Sequence, residues 1–455
     1  MSKRESIDHW SLGYWLTNHF LVKPIHNFFY RKIEVKFDDK IPKNESVIFA
    51  PNHQNALMDA LAFVAGINQF QTVFLARSDV FTNKIVYAIL TFLKILPVYR
   101  IRDGRSSLQK NDEIFDITTS ILHNKYNPIC LYPEGNHGDK RRIRPLVKGI
   151  FRIAFKAQEE YKDKPGVKIF PACIDYGHYS KFRQTQLIIF GDPIEVCEYW
   201  KDFEENPPVA MNKIRDHLSA ELKKLAIHIE TEEYYYLYMG LRSIYAKSMC
   251  KKMGLKSNSL YNRHLADKEM IKRLDVCLEK TPDKIKQLNS VFRSYVSLRK
   301  KLNFRNWVPS KKRYSIILNA LGIILSVVTL PLVILGLFNN WPHFFLPPLL
   351  KKGIKDTQFH STAVWGAGFV LIVVYYLILF VLAMIFVPFW WLKLAYLITL
   401  PSSGIFALSY RKFIIKSWAR IKYTFGRFKK GSDTNKMKEA YDKLIELTDQ
   451  IIDPV

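Results

Sequence analysis

A histidine and an aspartate stand close together in Ala50-Pro51-Asn52-His53-Gln54-Asn55-Ala56-Leu57-Met58-Asp59, directly after a strand-like run and leading into a helix-like one. Such a pair can share a hydrogen bond across one turn. The carboxylate then fixes the imidazole tautomer and steadies the imidazolium, which leaves the other ring nitrogen as a general base. Taken alone the pair is weak evidence, because His and Asp this close usually form only a surface contact. The run Leu131-Tyr132-Pro133-Glu134-Gly135 also leaves a strand-like stretch, for a loop that holds Asn136, His137, Lys140, Arg141, Arg142 and Arg144. Cations behind a carboxylate and a flexible glycine suit a polyol phosphate: the cations take the phosphate and Glu134 orients a hydroxyl. A plain basic surface loop is the alternative. Lys148-Gly149 opens a further helix, whose N-terminus suits an anion.

Elements able to position these residues are readable around them. Short β-rich runs at 46–50, 72–76, 129–132, 168–174 and 186–190 alternate with helical patterns at 59–66, 84–93, 111–122 and 147–161. Strands separated by helices predict an α/β domain, a mixed sheet flanked by helices, over residues 45–208. Ahead of it, residues 1–44 read as an amphipathic segment, in which aromatic and aliphatic residues from Trp10 to Tyr30 recur on a helical period. That segment suits either a membrane interface or packing on the domain. The start of the chain lacks the continuous apolar core and cleavage site of a signal peptide. Residues 209–314 form a helical extension with Leu218, Leu222, Leu225 and Ile229 on one face.

Three apolar stretches follow in a membrane region at 315–410: Ser315 to Phe338, Ala363 to Phe386, and Trp390 to Tyr410. The first two are long enough to be C-terminal transmembrane helices at 1.5 Å per residue. The third carries Lys393, Pro401 and Gly404 and reads as a broken, re-entrant or interfacial segment. A net charge of +27 admits nucleic acid or anionic lipid as partner. Because Lys and Arg flank the apolar stretches, as in Lys311-Lys312-Arg313 and the basic tail over 411–455, membrane lipid is favoured and nucleic acid is not. Basic flanks on both sides predict an even number of crossings, with the α/β domain and the tail on the cytoplasmic face. Five cysteines without CxxC pairing read as reduced and structural, and neither HExxH nor a glycine-rich phosphate loop occurs, so no metal or nucleotide cofactor is expected.

Taken in order, the residues resemble the glycerolipid acyltransferases of the phosphate-acyltransferase superfamily, which carry four motifs. Asn52-His53 through Asp59 is similar to the first, and Ile95-Leu96-Pro97-Val98-Tyr99-Arg100 to the second. Tyr132-Pro133-Glu134-Gly135 with Lys148-Gly149 is similar to the third, and Ile169-Phe170-Pro171-Ala172 to the fourth. The resemblance covers about residues 45–195 and implies that His53 is the base and Asp59 its partner. It further implies that Arg100 and Glu134 serve the acceptor and that Pro171 shapes a loop near the substrate channel. Five residues separate His53 from Asp59, one more than the common family pattern. This spacing resembles the fungal-type glycerol-3-phosphate and dihydroxyacetone-phosphate acyltransferases, which also have C-terminal membrane spans. The implied reaction moves an acyl group from acyl-CoA or acyl carrier protein, as co-substrate, to glycerol 3-phosphate. A lysophosphatidate or other lysophospholipid acceptor is the alternative within the class, and an idle membrane scaffold the alternative outside it. With no GxSxG and no cysteine in a motif, direct transfer is expected rather than an acyl-enzyme.

Overall fold

The computed structural model describes residues 7–67, 69–99, 105–125 and 127–453. Two compact units result: Met1–His228 with Lys351–Trp365, and Ile229–Leu350 with Gly366–Val455.

In the first unit, all six residues of Ser46–Pro51 are buried, as are eight of the ten in Val167–Tyr176. Near-continuous apolar runs of this kind belong to strands covered on both faces. They are the centre of an eight-stranded mixed sheet: β1 Lys32–Lys36, β2 Ser46–Pro51, β3 Val73–Arg77, β4 Ile95–Val98, β5 Ile129–Cys130, β6 Val167–Tyr176, β7 Thr185–Phe190 and β8 Ile194–Glu195. The order is β1-β7-β6-β2-β5-β3-β4, with β8 beside β6. β2 is parallel to both β5 and β6, whereas β7 and β8 run antiparallel to β6. Flanking helices include Leu57–Gly66, Lys84–Phe92, Arg105–Asn124, Gly149–Gln158 and Pro207–Leu225.

This topology assembles the site. β2, β5 and β6 are parallel neighbours, so the chain leaves all three at one edge of the sheet, where α/β folds place their ligands. His53 follows β2, Glu134 follows β5, and Tyr176 ends β6. Phe63, on the helix that follows His53, packs against Phe49 of β2 and Phe190 of β7 (ring centroids 5.4 and 5.6 Å). That packing holds the helix carrying Asp59 on the sheet.

Three strands are absent from the sequence reading. β1 alternates Lys32, Glu34 and Lys36 with Ile33 and Val35 at the sheet edge, and β4, at the other edge, contains Pro97. Edge strands tolerate both charge and proline. β8 has only two residues.

The second unit is helical. Helices Tyr235–Lys252, Leu260–Lys280 and Pro282–Lys301 pack with a C-terminal helix, Asp433–Ile452. Leu444, Leu447 and Ile451 of that last helix are buried and Tyr441 meets Tyr295 (5.7 Å), so much of the expected basic tail is a packed helix. Among the described residues, two helices are long and apolar enough to cross a membrane, Thr357–Phe386 and Trp390–Phe428, and Ile316–Val328 with Leu330–Gly353 form a pair bent by 62°. The expected first span is therefore bent. Pro331 has no N–H to continue the preceding helix, which stops at Thr329. The stretch expected to be broken is one 39-residue helix that runs through Pro401. Small residues allow close approach here: a side chain at Gly336 would strike the Ser403 carbonyl.

Candidate active site

His53 Nδ1 donates to Asp59 Oδ2 at 2.9 Å. A carboxylate only accepts, so the proton sits on Nδ1 and Nε2 carries the lone pair. The same Asp59 oxygen accepts the N–H groups of Gln54 (2.9 Å) and Asn55 (2.8 Å), and Oδ1 accepts the Tyr176 hydroxyl at 2.7 Å. Asp59 lies in the first turn of Leu57–Gly66, where its charge also suits the helix dipole. One carboxylate thus ties down the loop before the helix and orients the imidazole. The His53 side chain retains 15% of its exposure while that of Asp59 retains 1%, so the imidazole is reachable and its carboxylate partner is not.

The loop is fixed from other sides as well. Asn52 pairs with the backbone of Ile174 in β6, accepting at 2.7 Å and donating at 3.2 Å. Glu134 Oε1 accepts the His53 N–H at 2.9 Å, and Oε2 accepts Nε (3.1 Å) and N–H (3.2 Å) of Arg144. Tyr132 stacks on the imidazole, with ring centroids 4.1 Å apart. Burial pushes the Glu134 carboxyl above its usual range, against the pull of its bonds to His53 and Arg144. Burial also raises the Tyr176 hydroxyl, and the Asp59 carboxylate adds to the rise, so Tyr176 stays a donor.

Some expected site residues take other roles. Glu134 Oε1 bonds to His53 and Oε2 to Arg144. Arg141 is buried, pairs with Asp175, donates to the Tyr176 carbonyl and lies over the Tyr179 ring (4.9 Å). Its guanidinium braces the end of β6. Arg142 is half-buried, its N–H donating to the Lys140 carbonyl at 2.9 Å. Gly135 has φ +65° and its missing Cβ leaves room for Val147. Lys148 is exposed and directly precedes Gly149–Gln158. Pro171 is inside β6, not in a loop. It pairs with Ala50 on one side, and on the other falls between the stretches paired to β8 (Lys168, Ile169) and β7 (from Ala172). No ladder bond there needs its absent N–H, and its carbonyl accepts Gly191 N–H at 2.9 Å. Arg100 lies outside the described residues.

Other contributors escaped the sequence reading. Tyr176 reaches Asp59 across 117 positions. Ser361 donates to Asn55 Oδ1, and Phe359 packs edge-on to His137 (4.8 Å), which in turn meets the His53 ring edge-on (5.4 Å). In sequence, both Phe359 and Ser361 merely precede an apolar stretch. Among the described residues, no group of three or more His, Cys, Asp or Glu is placed to hold a metal ion.

The model of the Acyltransferase family matches residues 32–175. Glycerol-3-phosphate O-acyltransferase 1 of Saccharomyces cerevisiae is 26% identical over 178 residues, 38% of this chain and 23% of the relative. Glycerol-3-phosphate O-acyltransferase 2 of the same yeast is 26% identical over 113 residues, 25% of this chain and 15% of the relative. The matches thus span less than a quarter of either yeast protein. Among solved structures, the 1-acyl-sn-glycerophosphate acyltransferase PlsC of Thermotoga maritima aligns with a TM-score of 0.31 and 18% identity, over 45% of this chain and 80% of that one. The segment that matches the Acyltransferase family model, residues 32–175, holds both His53 and Asp59.

Proposed function

We propose that this chain transfers a fatty acyl group from a thioester, acyl-CoA or acyl carrier protein, to a hydroxyl of glycerol 3-phosphate. The observation that carries the proposal is the His53–Asp59 pair, with Nδ1 bonded to Asp59 at 2.9 Å and Nε2 left as the basic nitrogen. His53 Nε2 takes the proton of the acceptor hydroxyl as its oxygen attacks the thioester carbonyl. The carbon–sulfur bond breaks and the leaving thiolate recovers the proton from His53. Asp59 balances the imidazolium in between. Glu134 and Arg144 are positioning residues that hold the His53 backbone.

A panel of acceptors offered to the purified full chain with each donor tests this reading. Turnover of glycerol 3-phosphate well above lysophosphatidate supports it, whereas turnover confined to lysophospholipids moves the chain to the alternative acceptor class. No transfer from any donor favours the scaffold. Arg141 and Arg144 are engaged by carboxylates, and we assign the acceptor phosphate to Arg100 with Lys148, which is exposed at the start of Gly149–Gln158. Loss of one charge-assisted contact costs about 1.5–3 kcal/mol, so Arg100→Ala is expected to raise KM for glycerol 3-phosphate roughly 10- to 100-fold. KM for the donor should move little, and the opposite pattern would reassign Arg100 to the donor.

We also place the catalytic unit on the cytoplasmic face. Lys311-Lys312-Arg313 precedes the bent pair and a basic stretch from Arg411 to Lys430 closes Trp390–Phe428, which the positive-inside rule assigns to the same side. The segment 351–365 packs with the catalytic unit, and Lys351 donates to the Ser180 carbonyl. A bent pair that enters and returns, followed by two crossing helices, accounts for all three. Tyr376 and Tyr396 reach the adjacent Asn340 and Asn339 (2.7 and 3.0 Å), as expected of a hairpin closing near Val387. Single cysteines at Lys300, Lys352 and Lys430, in a cysteine-free background, should resist an impermeant reagent that labels one at Val387. External labelling at Lys352 would make the bent pair a true span.

A further inference from the structure

In the second unit a cleft of about 590 Å³ opens where helices Ile316–Val328 and Trp390–Phe428 emerge from their apolar stretches. Lys247, Lys311, Arg313 and Arg420 line it, with no acidic residue in the lining. Among the described residues, none of these four cations is paired with a carboxylate. Arg420 is held in place without being neutralised. Its guanidinium lies against the rings of Trp307 (5.5 Å) and Tyr314 (5.6 Å), one terminal nitrogen donates to Asn319 Oδ1 (3.3 Å), and its buried Nε has no hydrogen-bond partner. Gathering like charges around one cavity is unfavourable unless an anion occupies it. Apolar side chains line it too: Phe413 and Leu318 are 44% and 71% exposed.

We propose that this cleft binds the phosphate headgroup of an anionic glycerophospholipid, with Leu318 and Phe413 against its acyl chains. A phosphate diester supplies acceptor oxygens for a guanidinium fork and the lysine ammonium groups. Basic pockets beside membrane helices take such headgroups. The apolar rim gives lipid an advantage over free phosphate. This site is remote in sequence from the His53 motif and independent of the acyl-transfer reading.

The test uses the full chain in neutral detergent, titrated calorimetrically with short-chain phosphatidylglycerol, which is neither substrate nor product of the proposed reaction. Saturable binding is expected, with much weaker binding of phosphatidylcholine. Each cation near a lipid headgroup is worth roughly fivefold in affinity, so the double variant of exposed residues, Lys247→Ala with Arg313→Ala, should bind roughly thirtyfold more weakly. Lys429→Ala with Lys430→Ala, outside the cleft, should change affinity less than fivefold. Equal loss in both pairs would reduce the effect to diffuse surface charge and overturn the site. Equal binding of phosphatidylcholine would also overturn it, as would displacement of the lipid by inorganic phosphate at equal concentration.

Discussion

His53→Ala is expected to lower acyl transfer by at least roughly 10³-fold, within the range that general acid–base catalysis supplies, while the chain stays folded and extractable only by detergent. The contacts that truncation removes explain the split. His53 holds the loop through its backbone N–H to Glu134 (2.9 Å) and its carbonyl to Gly138 N–H (3.2 Å), and alanine keeps both. Asp59 loses one donor but retains the N–H groups of Gln54 and Asn55 and the Tyr176 hydroxyl, so no buried charge is orphaned. The stability cost should be near that of one hydrogen bond, about 1 kcal/mol. Steady-state assays of the purified variant beside its thermal midpoint make the comparison. More than a few per cent residual activity in a folded variant would show that another group takes the proton.

Local chemistry was legible where sequence distance is short. His53 and Asp59 lie on one loop and one helix turn, so their pairing follows from spacing. The apolar runs of β2 and β6 announce buried strands, whereas charged β1 and proline-bearing β4 hide at the edges. The cation-rich loop could be read as a composition but not as a set of bonds. Arg141 finds Asp175 across 34 positions and Arg144 finds Glu134 across 10, and only the parallel arrangement of β2, β5 and β6 decides which carboxylate meets which cation. The bonds of Glu134 to the His53 backbone and to Arg144 were therefore not readable from composition. The membrane region shows a similar limit. Hydropathy registers apolar length but not backbone continuity. Pro331 ends a helix because it sits where the next must start, while Pro401 is tolerated inside one, as membrane helices permit when neighbouring groups satisfy the freed carbonyl. Nothing in sequence tied Ser361 to Asn55, since the fold joins them across 306 positions.

Asp59→Ala is expected to be nearly as damaging as loss of the histidine, and the comparison with Asp59→Asn separates orientation from charge. Alanine removes every acceptor at once: the imidazole loses its tautomer control, and the Gln54 and Asn55 N–H groups and the Tyr176 hydroxyl lose their partner. Each orphaned buried donor costs about 1–3 kcal/mol, so this variant should also be less stable. Its rate should fall on the order of 10⁴-fold, as in catalytic triads whose carboxylate no longer sets the tautomer. Asparagine behaves differently here because two backbone N–H groups converge on Oδ2. They force the amide oxygen into that position, and its NH₂ toward the Tyr176 oxygen, which can accept. The imidazole then keeps its proton on Nδ1, and what disappears is the negative charge that balances the imidazolium. A hydrogen bond to a charged group exceeds a neutral one by about 1–2 kcal/mol, so this loss alone predicts a fall of roughly 5- to 30-fold at nearly unchanged stability. A fall near 10⁴ for asparagine would mean that the amide turns its NH₂ toward His53 despite those N–H groups. Full activity of Asp59→Asn would reduce Asp59 to a helix-capping and loop-fixing residue.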